Sequence, residues 1–533
     1  MAAGLSAGLL ELPFPLAGPM PPWRNVFAWF GLAPLIWAIV RAAGDSGPKV
    51  LRRTFLLGYL SGTLWYCGNC YWVRDTMMRY GDMPVGAPTA LLLGFSLVLG
   101  LYWGLFGVAV GLVRRRTGSV VWALAAAPVF WAALELAAAR ITSVPWDQLG
   151  YSQVDNALVS QLAPWTGVYG ISFVLVAVNA LLVGGLLCGA VKSRVACGVA
   201  GLALLSAGWW GTWLPVPVPP ATAPAVLVQP NLDVGADNAW GGLEWNRQIA
   251  EFVHLAGENC KSYIAGIPQT GAPRGEVVCP SATHPALVVW PEAPAPFFES
   301  DPRVRAALAQ VAETAQAPLV AGSLGMDIAP DGSWKTYNSA LVIGADGERV
   351  GRYDKIHLVP FGEYVPFKNL LFFAHKLTGR VGEFSRGRER KIFHLNGHRY
   401  GVFICYESVF ADEVRQFARR GAEVLVNISD DGWYGDTSAP WQHLNMARMR
   451  AIENSRWLLR DTNNGVTAAI DPYGRVRQSI PRHTVDALPA EFGYRDDMTF
   501  YTEHGDMFAW LCAILAIGLA AWMFNFPRRP RTS

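Results

Sequence analysis

The stretch that decides the fold is Val402-Phe403-Ile404-Cys405-Tyr406-Glu407, an apolar run that ends in a cysteine, with a carboxylate two residues later. A short apolar run of this kind predicts a buried strand, and α/β folds place reactive groups where such strands end. A cysteine at this position is a candidate nucleophile, which needs a base and a cation nearby. Two upstream fragments supply them, Trp290-Pro291-Glu292 and Tyr353-Asp354-Lys355.

Around this run, the segment 222–500 alternates short apolar strands with helical patterns, which predicts an α/β layered fold. Hairpins are predicted at the Gly- and Asp-containing turns Gly344–Gly347 and Asp471–Gly474. Strands are predicted at Ala225–Gln229, Ala286–Trp290, Pro318–Ala321, Ala340–Ile343, Arg399–Ile404 and Val424–Ile428, and helices at Pro302–Ala315, Val409–Arg420 and Trp441–Arg456.

The chain as a whole is too apolar for a wholly soluble protein. Of its 533 residues, 52% are hydrophobic and only 16% charged, and the charges are concentrated in 222–500. We expect a membrane domain at 1–214 with about seven spans, a soluble domain at 222–500 and a C-terminal transmembrane helix at 507–526. About 20 apolar residues cross a bilayer. Candidate spans lie at 3–21, 25–41, 55–73, 87–113, 119–139, 164–190, 195–213 and 507–526.

Lys and Arg collect in the loops after the second, fourth and sixth spans and in the C-terminal tail. With eight spans these segments share one side of the membrane, which the positive-inside rule makes the cytoplasm. Both termini are then cytoplasmic, and 214–506 lies on the opposite, periplasmic side. The first span lacks the basic region and cleavage site of a removable signal peptide, and Pro13, Pro15 and Pro19 make it the weakest of the eight.

Some classes of function are disfavoured by composition. A net charge of +3, with Arg clustered at the ends of apolar runs, provides no basic stripe for nucleic acid. Cys67-x-x-Cys70 has ligand spacing but no second Cys or His pair, so packing explains it better than a metal or redox site. The sequence indicates no metal and no organic cofactor.

Glu135 lies within the fifth span, where an unpaired charge costs about 2.5–3.5 kcal/mol. Arg140, five residues later, is a candidate partner in a structural ion pair, with a direct role of Glu135 in function as the alternative. The aromatic and polar stretch Pro145–Gln153 follows at the membrane surface. It suits contact with a lipid headgroup, although interfacial Trp and Tyr are also ordinary anchors.

Seven motifs of the chain together carry a resemblance to known proteins. They are Trp290-Pro291-Glu292, Lys355–Pro366, Cys405-Tyr406-Glu407, Asn427–Gly435, Trp441-Gln442-His443, Met446–Ala451 and Thr462–Thr467. They resemble the nitrilase (carbon–nitrogen hydrolase) superfamily and, within it, the apolipoprotein N-acyltransferase family of bacterial inner-membrane enzymes. The resemblance covers nearly the whole chain, and the string Lys355–Pro366 makes it specific. For 222–500 it implies a periplasmic catalytic domain with a nitrilase-like αββα sandwich fold.

The resemblance also implies roles for individual residues. Cys405 is the expected nucleophile, Glu292 the general base and acid, and Lys355 the cation beside the oxyanion. Glu363 and Glu407 are expected to orient this set, although Glu363 also fits a turn cap and Glu407 a helix cap. Further supporting residues are expected at Tyr406, Asn338 and Trp433, and a lid over the lipid access path, with core packing as its alternative, at Phe367, Leu371, Phe372 and Phe373.

The activity implied is ping-pong acyl transfer without a cofactor. Cys405 takes an acyl chain from a phospholipid as a thioester, and the α-amine of an N-terminal diacylglyceryl-cysteine on an apolipoprotein then takes it as an amide. The expected partners are these two lipid substrates and the membrane, and we expect a monomer.

One region departs from the family pattern, the Gly- and Pro-rich insertion 236–284. In an oxidising periplasm its Cys260 and Cys279 form a disulfide or remain free thiols, and the family's aromatic residue here is Trp240 or Trp245.

Two other functions remain open from sequence. One is a membrane-tethered amidase or nitrilase for small amides, which would have no use for a membrane arm or apolar site loops. The other is a non-catalytic membrane scaffold or transporter with a degenerate hydrolase domain, which the presence of Glu292, Lys355 and Cys405 disfavours. An acyl adduct on Cys405 would separate acyl transfer from both.

Overall fold

The structure is a computed structural model, and it describes residues 1–45, 47–81, 83–234, 243–258, 284–292, 297–364 and 384–525. The predicted lid, the pair Cys260 and Cys279, Trp240 and the side chain of Trp245 lie outside the described parts. The helices are α1 (Ala2–Glu11), α2 (Ala33–Ala43), α3 (Val50–Asn69), α4 (Trp72–Tyr80), α5 (Ala87–Thr117), α6 (Val120–Ala137), α7 (Ala163–Thr166), α8 (Val168–Leu187), α9 (Val191–Gly211), α10 (Leu243–Glu258), α11 (Pro302–Ala315), α12 (Ala411–Arg419), α13 (Ala439–Asn454), α14 (Phe500–His504) and α15 (Met507–Asn525).

Apolar helices form the N-terminal part of the chain. By length and composition, five of the described helical segments could cross a membrane, and Met507–Met523 is a shorter apolar helix. The five are Pro22–Ala43, Ala87–Thr117, Val120–Thr142, Val168–Leu187 and Val191–Gly211.

The predicted first span, 3–21, contains only the ten-residue helix α1. At 1.5 Å per residue such a helix extends about 15 Å, half of the hydrocarbon thickness. The chain leaves the helical conformation after Glu11, close to Pro13 and Pro15, which disrupt helical hydrogen bonding.

Helices α3 and α5 pack closely because both carry glycines at their contact. A Cβ atom on Gly58 would lie 2.0 Å from the carbonyl oxygen of Trp103, and one on Gly107 would lie 2.2 Å from that of Thr54. Small residues allow such close approach of backbones in membrane helices. This pair therefore fixes where Trp103 and its aromatic neighbours lie.

The C-terminal part is built on two six-stranded sheets. In the first the strand order is β12-β1-β2-β3-β4-β5, and in the second it is β11-β10-β9-β8-β7-β6. The strands are β1 (Ala223–Gln229), β2 (Leu287–Val289), β3 (Leu319–Ile328), β4 (Trp334–Ile343), β5 (Arg349–Asp354), β6 (Ile392–Leu395), β7 (His398–Ile404), β8 (Val424–Ser429), β9 (Trp457–Thr462), β10 (Ala468–Ile470), β11 (Val476–Ser479) and β12 (Asp486–Phe492).

The two sheets form the two middle layers of an αββα sandwich. Side chains that alternate in direction along β1 show how these layers pack. Leu227 joins an apolar core shared with Val402 and Val426 of the second sheet. Val226 and Val228 point to the opposite face of the sheet and join the apolar core that also contains the buried residues of helix α11. Because side chains of a strand alternate between faces, β1 contributes to both cores and is buried on both sides.

The two parts of the chain contact each other through α13. Met446 and Met449 on this helix belong to the same apolar core as the membrane helices. Beside them, the Nε1 of Trp146 donates a 2.8 Å hydrogen bond to Gln442, whose own amide donates to the carbonyl of Asn69 on α3. The two-sheet domain therefore lies directly against the helical domain.

Most predicted elements of 222–500 are confirmed, including α11 with its predicted bounds and the hairpins β4–β5 and β10–β11. The prediction for Val409–Arg420 is wrong at its start, where a 3-10 helix (Cys405–Val409) precedes α12. The predicted partnership of Glu135 with Arg140 is also wrong. Arg140 pairs with Asp412 and Asp506, because these distant acids lie closer in space.

Candidate active site

Three strand ends bring the predicted catalytic side chains together. Glu292 follows β2, Lys355 follows β5, and Cys405 follows β7 on the facing sheet. All three side chains are buried. The site therefore lies between the two sheets, at the end of the sandwich where these strands finish.

Lys355 joins two carboxylates. Its Nζ donates to Glu292 Oε1 at 2.9 Å and to Glu363 Oε1 at 3.0 Å. Glu363 is itself held by the backbone N–H of Val359, which donates to Oε2 at 2.7 Å. The ammonium thus has a fixed position, with one proton left for a third acceptor.

Asn338, on β4, contacts the same two carboxylates. Its Nδ2 donates to Oε1 of both Glu292 and Glu363 at 2.7 Å. The other oxygen of Glu292 accepts a 2.8 Å bond from the backbone N–H of Asp430. Glu292 is therefore held by hydrogen bonds on both oxygens, which fixes its direction.

Cys405 sits in a strained turn. Its φ angle is +51°, in the left-handed region that side chains with a Cβ disfavour. Strain of this kind costs about 1–3 kcal/mol and persists only where the surroundings hold it. The thiol held at this turn is under the electrostatic influence of Glu292 and Lys355, which shift its pKa in opposite directions.

Glu407 provides much of what holds the turn. Its Oε2 accepts a 2.7 Å bond from the N–H of Ile404, and its Oε1 accepts from Tyr353 Oη and from the N–H groups of Ile356 and His357. One carboxylate thus ties the residues before Cys405 to the residues after Lys355. Glu407 therefore sets the distance between nucleophile and cation.

We expect Glu407→Ala to lower the free energy of unfolding by about 3–5 kcal/mol, because several buried donors each lose a partner worth about 1–3 kcal/mol. The acyl transfer expected from the sequence should also fall by about 100-fold, since the positions of Cys405 and Lys355 are no longer linked. Thermal unfolding and initial rates in detergent measure both effects. Glu389→Ala, on the exposed surface, is the control, and unchanged stability in Glu407→Ala would contradict this role.

Burial and neighbouring charges raise the pKa of both Cys405 and Lys355, so the thiol and the ammonium both keep their protons. Burial raises the pKa of the Cys405 thiol, the charge of Glu292 raises it further, and Lys355 only partly opposes them. Burial alone would lower the pKa of Lys355, but Glu292, Glu363 and Cys405 outweigh it and hold that pKa above its usual value. At neutral pH the resting site therefore holds a thiol and an ammonium.

A raised thiol pKa has a measurable consequence. The rate of alkylation of Cys405 by iodoacetamide should rise about tenfold per pH unit through neutral pH, because the thiolate is the reacting form. It should not level off below pH 9, the ordinary thiol value. Subtracting the reaction of Cys405→Ala removes the contribution of other thiols, and a plateau below pH 7 would show that the resting nucleophile is already ionised.

Asp430 is a second carboxyl group beside the base. Burial, followed by the charge of Glu292, raises the pKa of Asp430 to about 8. Its oxygens accept from the N–H of Gly432 and from Asn463 Nδ2. Near pH 7 these surroundings therefore favour the protonated form of Asp430.

A cluster of buried polar side chains contacts the backbone carbonyl of Cys405, and the sequence alone assigned no role to it. His443 Nε2 lies 3.0 Å from the carbonyl oxygen of Cys405 and 2.7 Å from Ser408 Oγ. Its Nδ1 lies 2.9 Å from Asp431, which also pairs with Arg460 at 2.8 Å. The only sequence signal was that His443 and Asp431 belong to the recognised motifs.

Two other predicted residues lie at the contact between domains. Tyr406 directs its hydroxyl toward the carbonyl of Ser143, 3.4 Å away, and its ring packs on Phe410. Trp433 contacts Tyr80 of α4 with a ring separation of 5.0 Å. The structure thus brings Asn338, Glu363 and Glu407 to the three central residues, while Trp433 contacts the helical domain.

Known families match both parts of the chain. Residues 6–181 match the apolipoprotein N-acyltransferase N-terminal domain, and residues 248–490 match the carbon-nitrogen hydrolase family. Together these matches cover the helical domain and the two-sheet domain in the order observed here.

Proteins named apolipoprotein N-acyltransferase are similar to this chain over most of its length. The apolipoprotein N-acyltransferase of Geobacter metallireducens is 33% identical over 98% of this chain and 95% of its own length. The corresponding protein of Ralstonia nicotianae is 33% identical over 91% of this chain and 86% of its own length, and that of Agrobacterium fabrum is 28% identical over 99% and 98%.

Among solved structures, Nit3 of Saccharomyces cerevisiae, a member of the nitrilase superfamily, has a TM-score of 0.35 at 18% identity, over 51% of this chain and 89% of its own. An amidase from a Nesterenkonia species has a TM-score of 0.37 at 18% identity, over 54% and 94%.

Proposed function

The chain belongs to the apolipoprotein N-acyltransferase family, and from this premise we propose that Glu292, Lys355 and Cys405 carry out its transfer of an acyl chain from a phospholipid to the N-terminus of a lipoprotein. Lipoprotein N-acylation is the function of this membrane-associated acyltransferase. The small-amide hydrolase and the scaffold are not favoured, since the similarity extends over both domains.

One observation carries the assignment of the three residues. The ammonium of Lys355 donates to Glu292, and Glu407 joins the residue after Lys355 to the residue before Cys405 through hydrogen bonds from the two backbone N–H groups. A base, a cation and a nucleophile that converge in a buried site are what acyl transfer through a covalent intermediate requires.

The first half-reaction forms a thioester. Glu292 accepts the thiol proton, and the sulfur of Cys405 attacks the ester carbonyl of the phospholipid. The ammonium of Lys355 stabilises the oxyanion of the tetrahedral intermediate. The carbon–oxygen bond then breaks, Glu292 returns its proton to the departing glycerol oxygen, and a lysophospholipid leaves.

In the second half-reaction the sulfur of Cys405 is the leaving group. The α-amine of the diacylglyceryl-cysteine attacks the thioester carbonyl, and Glu292 accepts a proton from the attacking nitrogen. Collapse of the intermediate breaks the carbon–sulfur bond, and Cys405 recovers the proton from Glu292. An amide is more stable than a thioester, so no nucleotide is required.

Both substrates are membrane lipids, which explains why the two-sheet domain is fused to apolar helices. We place the protein in the bacterial inner membrane as a monomer, with both termini in the cytoplasm and the catalytic domain in the periplasm. The asymmetric distribution of Lys and Arg supports this orientation. The apolar residues Phe367, Leu371, Phe372 and Phe373 are proposed as a lid over the lipid access path.

The decisive experiment follows the acyl chain. Purified protein is incubated with phospholipid bearing a labelled acyl chain, and the mass of the peptide that contains Cys405 is measured before and after a diacylated lipopeptide is added. We expect an acyl adduct on Cys405 that disappears as labelled amide forms. Release of free fatty acid without amide would instead identify a hydrolase, and an adduct on another residue would contradict the assignment.

A further inference from the structure

A fully buried histidine contacts the backbone at the nucleophile. His443 lies on α13 and is 0% exposed. Its Nε2 lies 3.0 Å from the carbonyl oxygen of Cys405 and 2.7 Å from Oγ of Ser408. Both residues belong to the 3-10 helix Cys405–Val409, which we call the nucleophile turn. The imidazole therefore contacts the nucleophile turn at Cys405 and again one helical turn later.

The contact at Nε2 forms in either tautomer of the neutral ring. With the proton on Nε2, the ring donates to the carbonyl oxygen of Cys405, which can only accept. With the proton on Nδ1, Nε2 accepts the hydroxyl proton of Ser408. Burial, followed by the charge of Arg460, lowers the pKa of His443 below its ordinary value, so the ring is neutral near pH 7. His443 thus holds the nucleophile turn whichever nitrogen carries the proton.

The opposite nitrogen anchors the ring to the second sheet. Nδ1 of His443 lies 2.9 Å from Asp431 Oδ1 and 3.0 Å from Arg460 Nη2. Arg460, on β9, donates to the two oxygens of Asp431 at 3.0 and 2.8 Å and also to Asn427 on β8. These three residues are 0% exposed, and a buried ion pair resists separation because loss of either partner leaves an uncompensated charge. One end of the imidazole is therefore fixed while the other contacts the nucleophile turn.

Helix α13 is also held by the helical domain. The residue before the histidine, Gln442, donates to the carbonyl oxygen of Asn69 at 3.0 Å. Two turns later, Arg450 donates to the hydroxyl of Tyr151 at 3.0 Å and to the carbonyl oxygen of Val409 at 3.4 Å. Val409 is the last residue of the nucleophile turn. Helix α13 thus contacts both ends of this turn and is supported by the helical domain.

The nucleophile turn needs this support because it is strained. Cys405 has a φ angle of +51°, and a residue with a Cβ keeps such a conformation only where its surroundings hold it. Glu407 supplies one support through the N–H groups of Ile404 and Ile356, and His443 supplies a second from α13. Without the second support the backbone at Cys405 can relax. A displacement of about 1 Å at a reacting group can cost about 100-fold in rate.

We propose that His443 is a positioning residue for acyl transfer, which holds the nucleophile turn through Nε2 so that Cys405 keeps the backbone conformation from which its sulfur reacts. The inference rests on the proposed function, which makes this sulfur the attacking atom. His443 acts through the backbone carbonyl of Cys405 and the hydroxyl of Ser408 rather than on the substrate. Its loss should therefore lower kcat and leave KM for the phospholipid unchanged.

Three substitutions separate the two ends of the imidazole. His443→Gln places an amide near the position of Nε2 but has no polar atom near that of Nδ1. His443→Met has the same length and no hydrogen-bonding group at either position, whereas His443→Asn places its amide near Nδ1 and does not reach the nucleophile turn. We expect kcat of His443→Gln to stay within about tenfold of the wild type, as loss of one hydrogen bond allows. In His443→Met and His443→Asn, kcat should fall about 100-fold while KM changes less than about twofold.

Initial rates of full-length protein in nanodiscs, at several mole fractions of labelled phospholipid, give kcat and KM. Unfolding temperatures of the same variants show whether a loss of rate reflects a loss of folded protein. Since His443→Gln and His443→Met both lack the contact at Nδ1, the difference between them reports the contact at Nε2. His443→Asn makes the same comparison should His443→Met fail to fold.

Two results would overturn the proposal and leave the histidine a role in folding alone. One is an equal loss of kcat in the three variants, and the other is a kcat that is highest in His443→Asn. The matched control is His394→Met, at an exposed histidine on β6, which should keep the kcat and KM of the wild type.

A measurement without lipid separates this inference from the assignment of the nucleophile. Burial raises the pKa of the Cys405 thiol, so relaxation of the nucleophile turn should expose more thiolate. Alkylation of Cys405 by iodoacetamide at pH 7 should therefore become about tenfold faster in His443→Met and His443→Asn but not in His443→Gln. This difference would support the hold of His443 on the turn even if Cys405→Ala kept its activity and the proposed function failed. An unchanged alkylation rate in all three variants would contradict that hold.

Discussion

Replacing Cys405 with alanine is expected to lower the rate of lipoprotein N-acylation by at least about 10⁴-fold. Loss of a nucleophile in a covalent mechanism removes the pathway itself, and enzymes of this type lose between about 10⁴ and 10⁶ in kcat when it is deleted. The remaining rate would come only from positioning of the two substrates. Initial rates of labelled amide formation in lipid nanodiscs measure the effect.

The fold should tolerate this change. Cys405 is buried but small, and the turn around it is held by Glu407 and by the contact of His443 with its carbonyl oxygen rather than by the sulfur. We therefore expect the unfolding temperature of Cys405→Ala to stay close to that of the wild type. Cys512→Ala, which removes another buried thiol on α15, is the matched control and should keep full activity. A Cys405→Ala enzyme that retained a tenth of the wild-type rate would refute the nucleophile assignment.

Lys355→Met is expected to reduce both activity and stability. The Nζ of Lys355 compensates Glu292 and Glu363, and its removal leaves two buried carboxylates facing each other through Asn338 alone. Breaking a buried ion pair on one side costs about 3–5 kcal/mol. Loss of the ammonium also removes stabilisation of the oxyanion, which in comparable sites is worth about 10²–10³ in rate.

A second substitution separates these two effects. The double variant combines Lys355→Met with Glu363→Gln and so lacks one of the two uncompensated charges. Its free energy of unfolding should partly return toward that of the wild type, while its rate of acyl transfer stays low. Lys391→Met, at a half-buried lysine whose ammonium pairs with exposed Glu389, controls for loss of positive charge and should match the wild type. Recovery of activity together with stability in the double variant would mean that Lys355 serves only the fold.

The local patterns of the chain were enough to locate the reactive residues on the fold. Glu292 and Cys405 each follow a short apolar run, and burial of such runs as strands depends on residues that are adjacent in sequence. Helix α11 was predicted with its observed bounds for the same reason, since its periodicity and its Asp301 cap are local. Strand β6 was missed because, at four residues, it is too short to show a period.

Contacts between distant parts of the chain could not be predicted in this way. His443 lies 38 residues from Cys405, and nothing near either residue in the sequence indicates that the imidazole contacts the Cys405 carbonyl. The expected pairing of Glu135 with Arg140 failed because Asp506, 366 residues from Arg140, is the acid that folding brings to it. Charges respond to distance in space and to burial, and both are known only when the domains are packed together.

The sequence alone determined which residue types end the strands, that part of the chain belongs in a membrane, and which chemistry a thiol, a carboxylate and an amine can perform. Only the tertiary structure decided that Lys355 contacts both Glu292 and Glu363, and that His443 contacts the turn that begins at Cys405. The reason is physical. Strand formation and membrane partition depend on the residues of one segment, whereas the protonation of a buried group and the partners of a buried side chain depend on every segment that surrounds them.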